Sequence, residues 1–122
     1  MYILNSILEN FTSDKGAIID FKGDIICLGN STFANSYANT SGGAILAKYY
    51  PLNNGTARDP KYIPTDPIVI QDCIFNNLTC TNDGGAIHID LDSGSFNIPK
   101  TMNIESTNFT NCNSRFVEPY QF

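Results

Sequence analysis

The sequence predicts an all-β chain that folds as a right-handed parallel β-helix, a solenoid of about 3–4 coils with two loop insertions. Three observations support this prediction. A two-part phrase recurs along the 122 residues, apolar and polar residues alternate within it, and Asn, Thr, Ser and Gly outnumber the helix formers Ala, Leu, Lys and Glu. Alternation with a period of two is typical of strands, and crossovers between parallel strands are right-handed.

The first part of the phrase is an aliphatic residue followed at fixed steps by a small residue, a large apolar residue and an Asn. Stacking four copies as successive coils places the large apolar residues in one inward column and the Asn residues in another. We expect the apolar residues to stack and the Asn amides to form a hydrogen-bonded ladder. The alternative is ordinary turn chemistry, because Asn tolerates a left-handed backbone. The stack comprises Leu8, Phe33, Phe75 and Phe109, and the ladder comprises Asn10, Asn35, Asn77 and Asn111.

The second part of the phrase, Gly-Gly-Ala-Ile, follows the Asn after a polar turn and ends in Ile45 in one copy and in Ile87 in another. An earlier copy has one Gly, and we align its Ile18 with these two residues. Glycines at a corner supply a positive φ or a close backbone approach. The predicted corner glycines are Gly16, Gly42, Gly43, Gly84 and Gly85.

Two polar segments that contain Pro and Gly, at 50–67 and 90–100, follow the Gly-Gly-Ala-Ile strands. A solenoid tolerates insertions at one corner, so both are predicted to be loops on one face. Residues 1–122 then form a single β-helix segment, a fragment of a longer repeat protein. Tyr and Arg often anchor interfaces, so the candidate binding residues are Tyr49, Tyr50, Arg58 and Tyr62, unless they merely cover the loop.

The charge and the apolar runs limit the partners. A net charge of −5 argues against a nucleic acid, because phosphates need clustered cations. No run approaches the ~18 apolar residues of a membrane span, and no secretory signal is visible. A β-helix of a few coils exposes strand edges at both ends, so we expect end-to-end self-association and poor solubility of the isolated chain.

The cysteines and the single His indicate neither a metal site nor a cofactor. Cys27, Cys73, Cys80 and Cys112 form no CxxC pair, and zinc needs four convergent ligands. Cys73 shares its column with small hydroxyl residues and is predicted to be a buried, inert thiol. Cys80 and Cys112 lie in turns of neighbouring copies, and their spacing is compatible with either a disulfide or two free thiols.

A carbohydrate-active enzyme is the main alternative within this fold. A polysaccharide lyase needs carboxylates stacked on neighbouring coils to bind calcium, and an inverting glycosidase needs two acids about 6.5–9.5 Å apart. No predicted column stacks two carboxylates, so no catalytic residue is assigned; an enzyme would use Asp83, His88 and Asp90. The predicted columns are Asp20, Ala47, Ile89, then Phe21, Lys48, Asp90, and, on the other side, Ile19, Leu46, His88.

The phrases Ser-Thr-Phe-Ala-Asn and Cys-Ile-Phe-Asn-Asn, each followed by Gly-Gly-Ala-Ile, resemble the repeats of polymorphic outer membrane proteins. More widely, they resemble right-handed parallel β-helix proteins of the pectate-lyase-like group. The resemblance covers residues 3–117 and implies an extracellular or cell-surface, non-enzymatic, adhesin-like module that binds an unknown protein or glycan. Two alternatives stay open: a polysaccharide lyase or glycoside hydrolase, and a truncated, non-functional repeat fragment.

Overall fold

A computed structural model describes residues 1–15, 17–23, 25–49, 68–91 and 102–116, and all the regular structure in these ranges is β-strand. Short alternating apolar and polar runs form the strands, and residues with positive φ separate many of them. The strands are β1 (Tyr2–Leu4), β2 (Ile7–Glu9), β3 (Thr12–Ser13), β4 (Ile19–Gly23), β5 (Ile26–Gly29), β6 (Thr32–Ala38), β7 (Ile45–Tyr49), β8 (Ile68–Gln71), β9 (Ile74–Asp83), β10 (Ile87–Leu91), β11 (Met102–Glu105) and β12 (Asn108–Phe116).

The described strands form three parallel sheets. Sheet A has the order β1-β5-β8-β11, sheet B has the order β2-β6-β9-β12 with β3 also beside β6, and sheet C has the order β4-β7-β10. Because successive strands enter the sheets in a recurring order, we number the passages repeat 1 (β1 to β4), repeat 2 (β5 to β7), repeat 3 (β8 to β10) and repeat 4 (β11 and β12). The prediction of an all-β chain is confirmed, and its parallel sheets are consistent with a β-helix.

The register of sheets A and B is the one that aligns the repeated phrase. Phe33 pairs with Leu8 on one side and with Phe75 on the other, and Phe75 pairs with Phe109. Alternate residues face the interior, where repeats 2 and 3 are covered on both sides and supply most of the core. The largest fully buried side chains are Phe33, Phe75, Ile26, Leu28, Ile45, Ile68, Ile70, Leu78, Ile87 and Cys73.

In sheet C the predicted alignment of repeat 1 is wrong by one residue. Ile19, not Ile18, pairs with Ile45. The N–H groups of Ile18 and Ile19 both donate to the carbonyl of Ala44, at 2.9 and 3.0 Å, and the N–H groups of Ala44 and Ile45 make the same forked contact to repeat 3. Ile18 therefore occupies the position that Ala44 has in repeat 2, because backbone hydrogen bonds and not the printed phrase set the register.

This shift moves each residue of β4 by one column. Asp20 pairs with Leu46 and not with Ala47, and Ala47 pairs with Phe21. His88 consequently shares its column with Asp20 and not with Ile19. The two corrected columns are Asp20, Leu46, His88 and Lys22, Lys48, Asp90.

Candidate functional site

The predicted aromatic stack lies in the interior of sheet B. The rings of Phe33 and Phe75 have centroids 4.9 Å apart and planes within 6°, and those of Phe75 and Phe109 are also 4.9 Å apart, at 10°. Leu8 continues the column in repeat 1. Phe33 and Phe75 are fully buried and Phe109 is partly buried, and their stacking favours one register of β6, β9 and β12.

The predicted Asn ladder lies at an exposed corner, where all four residues have a positive φ of 51° to 66°. One rung is present: Asn77 Nδ2–H donates to Asn35 Oδ1 at 3.0 Å. In the described part of the chain, neither Asn10 nor Asn111 makes the corresponding amide bond. The left-handed backbone is therefore present at every repeat, whereas the predicted ladder is limited to one amide bond among the described residues.

A second corner of the same kind precedes sheet B and was not predicted from the sequence. Asn5, Asn30, Asp72 and Ser106 have φ values of 45° to 53°, and Asn30 Nδ2–H donates to Asn5 Oδ1 at 2.8 Å. Three residue types share one backbone conformation here, so no single letter recurs. The available signal was the small residue that comes next in every repeat.

The small residue that follows the positive-φ residue makes a hydrogen bond across the corner. In six of the eight corners its side chain donates to the carbonyl of the residue two positions earlier, at 2.8–3.5 Å. Its side chain can also accept across repeats, as Ser31 Oγ accepts the N–H of Ser6 at 3.1 Å. The polar side chains are thereby satisfied even at the three corners where the small residue is buried, Ser31, Ser36 and Cys73. The six residues are Ser6, Ser31, Ser36, Cys73, Thr107 and Cys112.

The Gly-Gly pairs form the third corner, and their two glycines have different tasks. Gly42 and Gly84 have positive φ values of 72° and 68°. A Cβ on Gly43 would overlap the carbonyl of Gly85, and one on Gly85 would lie 2.6 Å from the backbone N of Asn113. The first glycine allows the turn and the second allows adjacent repeats to approach. Gly16 lies outside the described residues.

The thiols are all free in the described residues. Burial is the main cause that raises the pKa of Cys73, Cys80 and Cys112. Cys112 pairs with Leu78, and Cys80 pairs with Ser114. Cys80 and Cys112 are thus diagonal rather than direct neighbours, which is unfavourable for a disulfide.

The outward face of sheet C carries His88 and Asp90, two of the three residues that an enzyme would use, whereas Asp83 is the last residue of β9 in sheet B. His88 follows the corner and Asp90 pairs with Lys48. Buried Nδ1 of His88 and buried Oδ1 of Asp83 make no hydrogen bond within the described residues. Those residues include no group of three or more His, Cys, Asp or Glu arranged to hold a metal ion.

The two insertions start and end at paired positions. Tyr49, the last residue of β7, pairs with Leu91, the last of β10, and Ile68 pairs with Met102 where the chain returns. Both segments therefore leave from paired ends of neighbouring strands in sheet C and return at paired ends of neighbouring strands in sheet A. The candidate binding residues Tyr50, Arg58 and Tyr62 lie outside the described residues, and Tyr49 is described only in its backbone.

Comparison with protein-family models, with curated proteins and with solved structures found no match. Among the described residues, no helix is long and apolar enough to cross a membrane.

Proposed function

We propose that the three sheets wind into a right-handed parallel β-helix that acts as a non-enzymatic, adhesin-like interaction module at a cell surface or outside the cell. The parallel register of the repeats supports the winding, and the resemblance to polymorphic outer membrane protein repeats supports the location. In this proposal the stacked corners are a scaffold, and the two insertions bind a protein or glycan. The second insertion begins after Leu91 and not at residue 90, because Asp90 and Leu91 belong to β10.

The main support for this proposal is that the residues flanking the two insertions pair with each other. Tyr49 beside Leu91 and Ile68 beside Met102 give the two insertions common points of departure and return. Loops anchored by a rigid sheet are where binding residues concentrate. Because these anchor points lie side by side, we expect both insertions to contribute to one binding surface.

Shortening an insertion tests the proposal. Repeat 1 passes from β4 to β5 through residues 24–25 alone, so replacing residues 50–67 by Asp-Ile imitates a connection that the fold already makes. We expect this variant to keep its far-UV circular dichroism and to lose binding on a glycan array and on cultured cells. The matched control is Tyr37→Ala, which removes an aromatic side chain, 40% exposed, from the outer face of sheet B. Equal binding by the shortened chain would contradict the proposal.

A carbohydrate-active enzyme is the second candidate, and the unpartnered polar atoms of His88 and Asp83 favour it. Such atoms cost free energy in a buried place unless a ligand completes them. Polyuronides and neutral glycans incubated with the chain, with and without calcium, test this candidate. Turnover that is lost in Asp83→Asn, His88→Gln or Asp90→Asn would establish the enzyme and refute the non-enzymatic proposal.

A further inference from the structure

The outer side of sheet B carries a recurring acceptor sequence for modification. Six Asn residues of the chain begin an Asn-X-Ser/Thr sequon, the acceptor of N-linked glycans, whereas about two would be expected from the composition alone. One of them, Asn54, lies outside the described residues. In the described strands of sheets A and C no sequon begins. The other five are exposed and lie in the strands of sheet B or in the turns beside them: Asn10, Asn30, Asn39, Asn77 and Asn108.

The fold itself explains the Asn at three of these positions. Asn10, Asn30 and Asn77 have a positive φ, a backbone conformation that Asn tolerates better than most residues. The Nδ2 atoms of Asn30 and Asn77, which would have to carry the sugar, also donate a hydrogen bond to an Asn of the preceding repeat. These three residues therefore have a structural role whether or not the chain is modified.

Asn39 and Asn108 have no such role. Neither has a positive φ, and neither side-chain amide makes a hydrogen bond to another described residue. Asn108 pairs with Ile74, and the other repeats place Thr or Ile in this column, so the fold does not require an amide there. Thr110, the hydroxyl residue of the same sequon, is exposed two positions along β12 and therefore lies on the same outer face.

Each of these two asparagines lies beside an exposed apolar side chain. Ile74, the direct neighbour of Asn108 in the sheet, is 46% exposed. Tyr37, two residues before Asn39 on the same outer side, is 40% exposed. A sugar attached at either Asn lays its apolar C–H face within reach of this side chain and removes apolar area from water.

We propose that Asn39 and Asn108 carry N-linked glycans that cover the outer side of sheet B, an inference that rests on the extracellular location in the proposed function. In the transfer, Nδ2 of the Asn forms a bond to the anomeric carbon of a sugar and loses one proton, while the bond from that carbon to the diphosphate of a lipid-linked donor breaks. Both glycans stand on sheet B, whereas the insertions join sheet C to sheet A. Sheet B is thus shielded without a sugar at the strand ends that anchor the insertions.

Mass spectrometry of the protein isolated from the cells that make it tests the modification directly. Peptide-N-glycosidase releases the glycan and converts the acceptor Asn to Asp, and in H₂¹⁸O the new carboxyl group carries ¹⁸O. We expect this label at Asn39 and Asn108 in chains from the cell surface or the medium, and none in a digest without the enzyme. Absence of the label at either position overturns the assignment of that residue and leaves the proposed function intact. Chains found only inside the cell overturn the proposed location and this inference together.

A matched pair of variants separates the sequon from the fold. Thr110→Ser keeps the hydroxyl that the sequon requires, whereas Thr110→Val keeps the shape and removes it, and both change an exposed side chain with little expected effect on stability. For chains produced in a eukaryotic secretory pathway, electrophoresis should show Thr110→Ser with the parent mobility and Thr110→Val one glycan lighter, as for Asn108→Gln. Equal mobility of Thr110→Val and the parent chain overturns glycosylation at Asn108, and Asn39→Gln provides the same test for Asn39.

Chemical nitration tests whether the glycan covers the sheet. Tetranitromethane modifies accessible Tyr rings, and peptide mapping reports the rate at Tyr37 alone. We expect faster nitration of Tyr37 in Asn39→Gln than in the glycosylated parent chain, and the same rate in Asn108→Gln as in the parent. Equal rates in Asn39→Gln and the parent overturn the proposed cover of sheet B by the Asn39 glycan.

Discussion

The Asn corners and the Gly-Gly corners turn the same chain with the same sign of φ but under different steric conditions. The eight residues at the Asn-type corners are exposed, with φ between 45° and 66°. Gly42 and Gly84 are buried, and a Cβ on either would overlap the carbonyl of the Ile three residues later. The difference shows that a positive φ alone admits Asn, Asp or Ser, whereas a positive φ inside a packed corner admits only Gly.

The largest effect is expected where two repeats touch. In Gly85→Ala the new methyl would lie 2.6 Å from the backbone N of Asn113, and backbone cannot move aside as a side chain can. We expect the free energy of unfolding, from urea denaturation, to fall by about 3 kcal/mol or more. Gly29→Ala is the control, because its methyl meets only the flexible Leu4 Cδ2, at 2.9 Å. Similar midpoints for the two variants would contradict the argument.

Exchanging residues between the Asn corners and the Gly-Gly corners tests whether the two types of corner differ in steric room. Gly84→Asn places Asn, the residue of the exposed corners, in the buried Gly-Gly corner. The Cβ of the new Asn would overlap the Ile87 carbonyl, so we expect the free energy of unfolding to fall by about 2 kcal/mol. Asn77→Gly keeps the left-handed backbone and removes one exposed hydrogen bond, so it should change stability by less than about 1 kcal/mol. Thermal and urea unfolding of both variants provide the measurement. Equal losses would mean that the two corners do not differ in steric room.

These corners also show what the sequence could predict. Four identical Asn residues in step with a large apolar residue were sufficient to align sheets A and B, because the inward column repeats one chemistry. The corner of Asn5, Asn30, Asp72 and Ser106 stayed hidden, because a backbone conformation accepts several residue types and leaves no constant letter.

In sheet C, by contrast, the recurring phrase led to a wrong alignment. The phrase ending in Ala17 and Ile18 looked like Gly-Gly-Ala-Ile with one Gly missing, yet Ala17 occupies the second glycine's position. The methyl of Ala17 belongs to a small buried cluster with Ala38 and Cys80. Only the hydrogen bonds to the next repeat could reveal this shift, so the outward columns around Asp20 and His88 were predicted incorrectly.

A corner closed by a thiol should differ from one closed by a hydroxyl at high pH. Burial raises the pKa of the Cys73 thiol above that of the unfolded chain. Its contribution to stability is therefore complete below the ordinary thiol pKa of about 8.5 and is lost as the pH rises through the folded value. Cys73→Ser keeps the donor to the Gln71 carbonyl, so we expect its free energy of unfolding to differ from that of the parent chain by less than about 1 kcal/mol at pH 7. Above pH ~8.5 the variant should lose less stability than the parent chain, because it has no thiol to ionise. Parallel pH profiles for the two chains would refute this role of the thiol.

The smallest expected effect is the coupling between the two amides of the Asn35–Asn77 hydrogen bond, measured apart from the left-handed backbone that both residues adopt. Asn35→Gly and Asn77→Gly both keep a positive φ permissible, and each removes one partner of the 3.0 Å amide bond. Their double-mutant cycle should give a coupling of about 0.5 kcal/mol, since the bond is exposed and competes with water. The control cycle joins Asn77→Gly with Asn111→Gly, at equally spaced corners where no amide bond is seen among the described residues, and its coupling should be near zero. Equal coupling in both cycles would assign the interaction to the backbone. A difference between them would show that the ladder contributes stability only where its amides meet, while the left-handed backbone is what the Asn column supplies at every repeat.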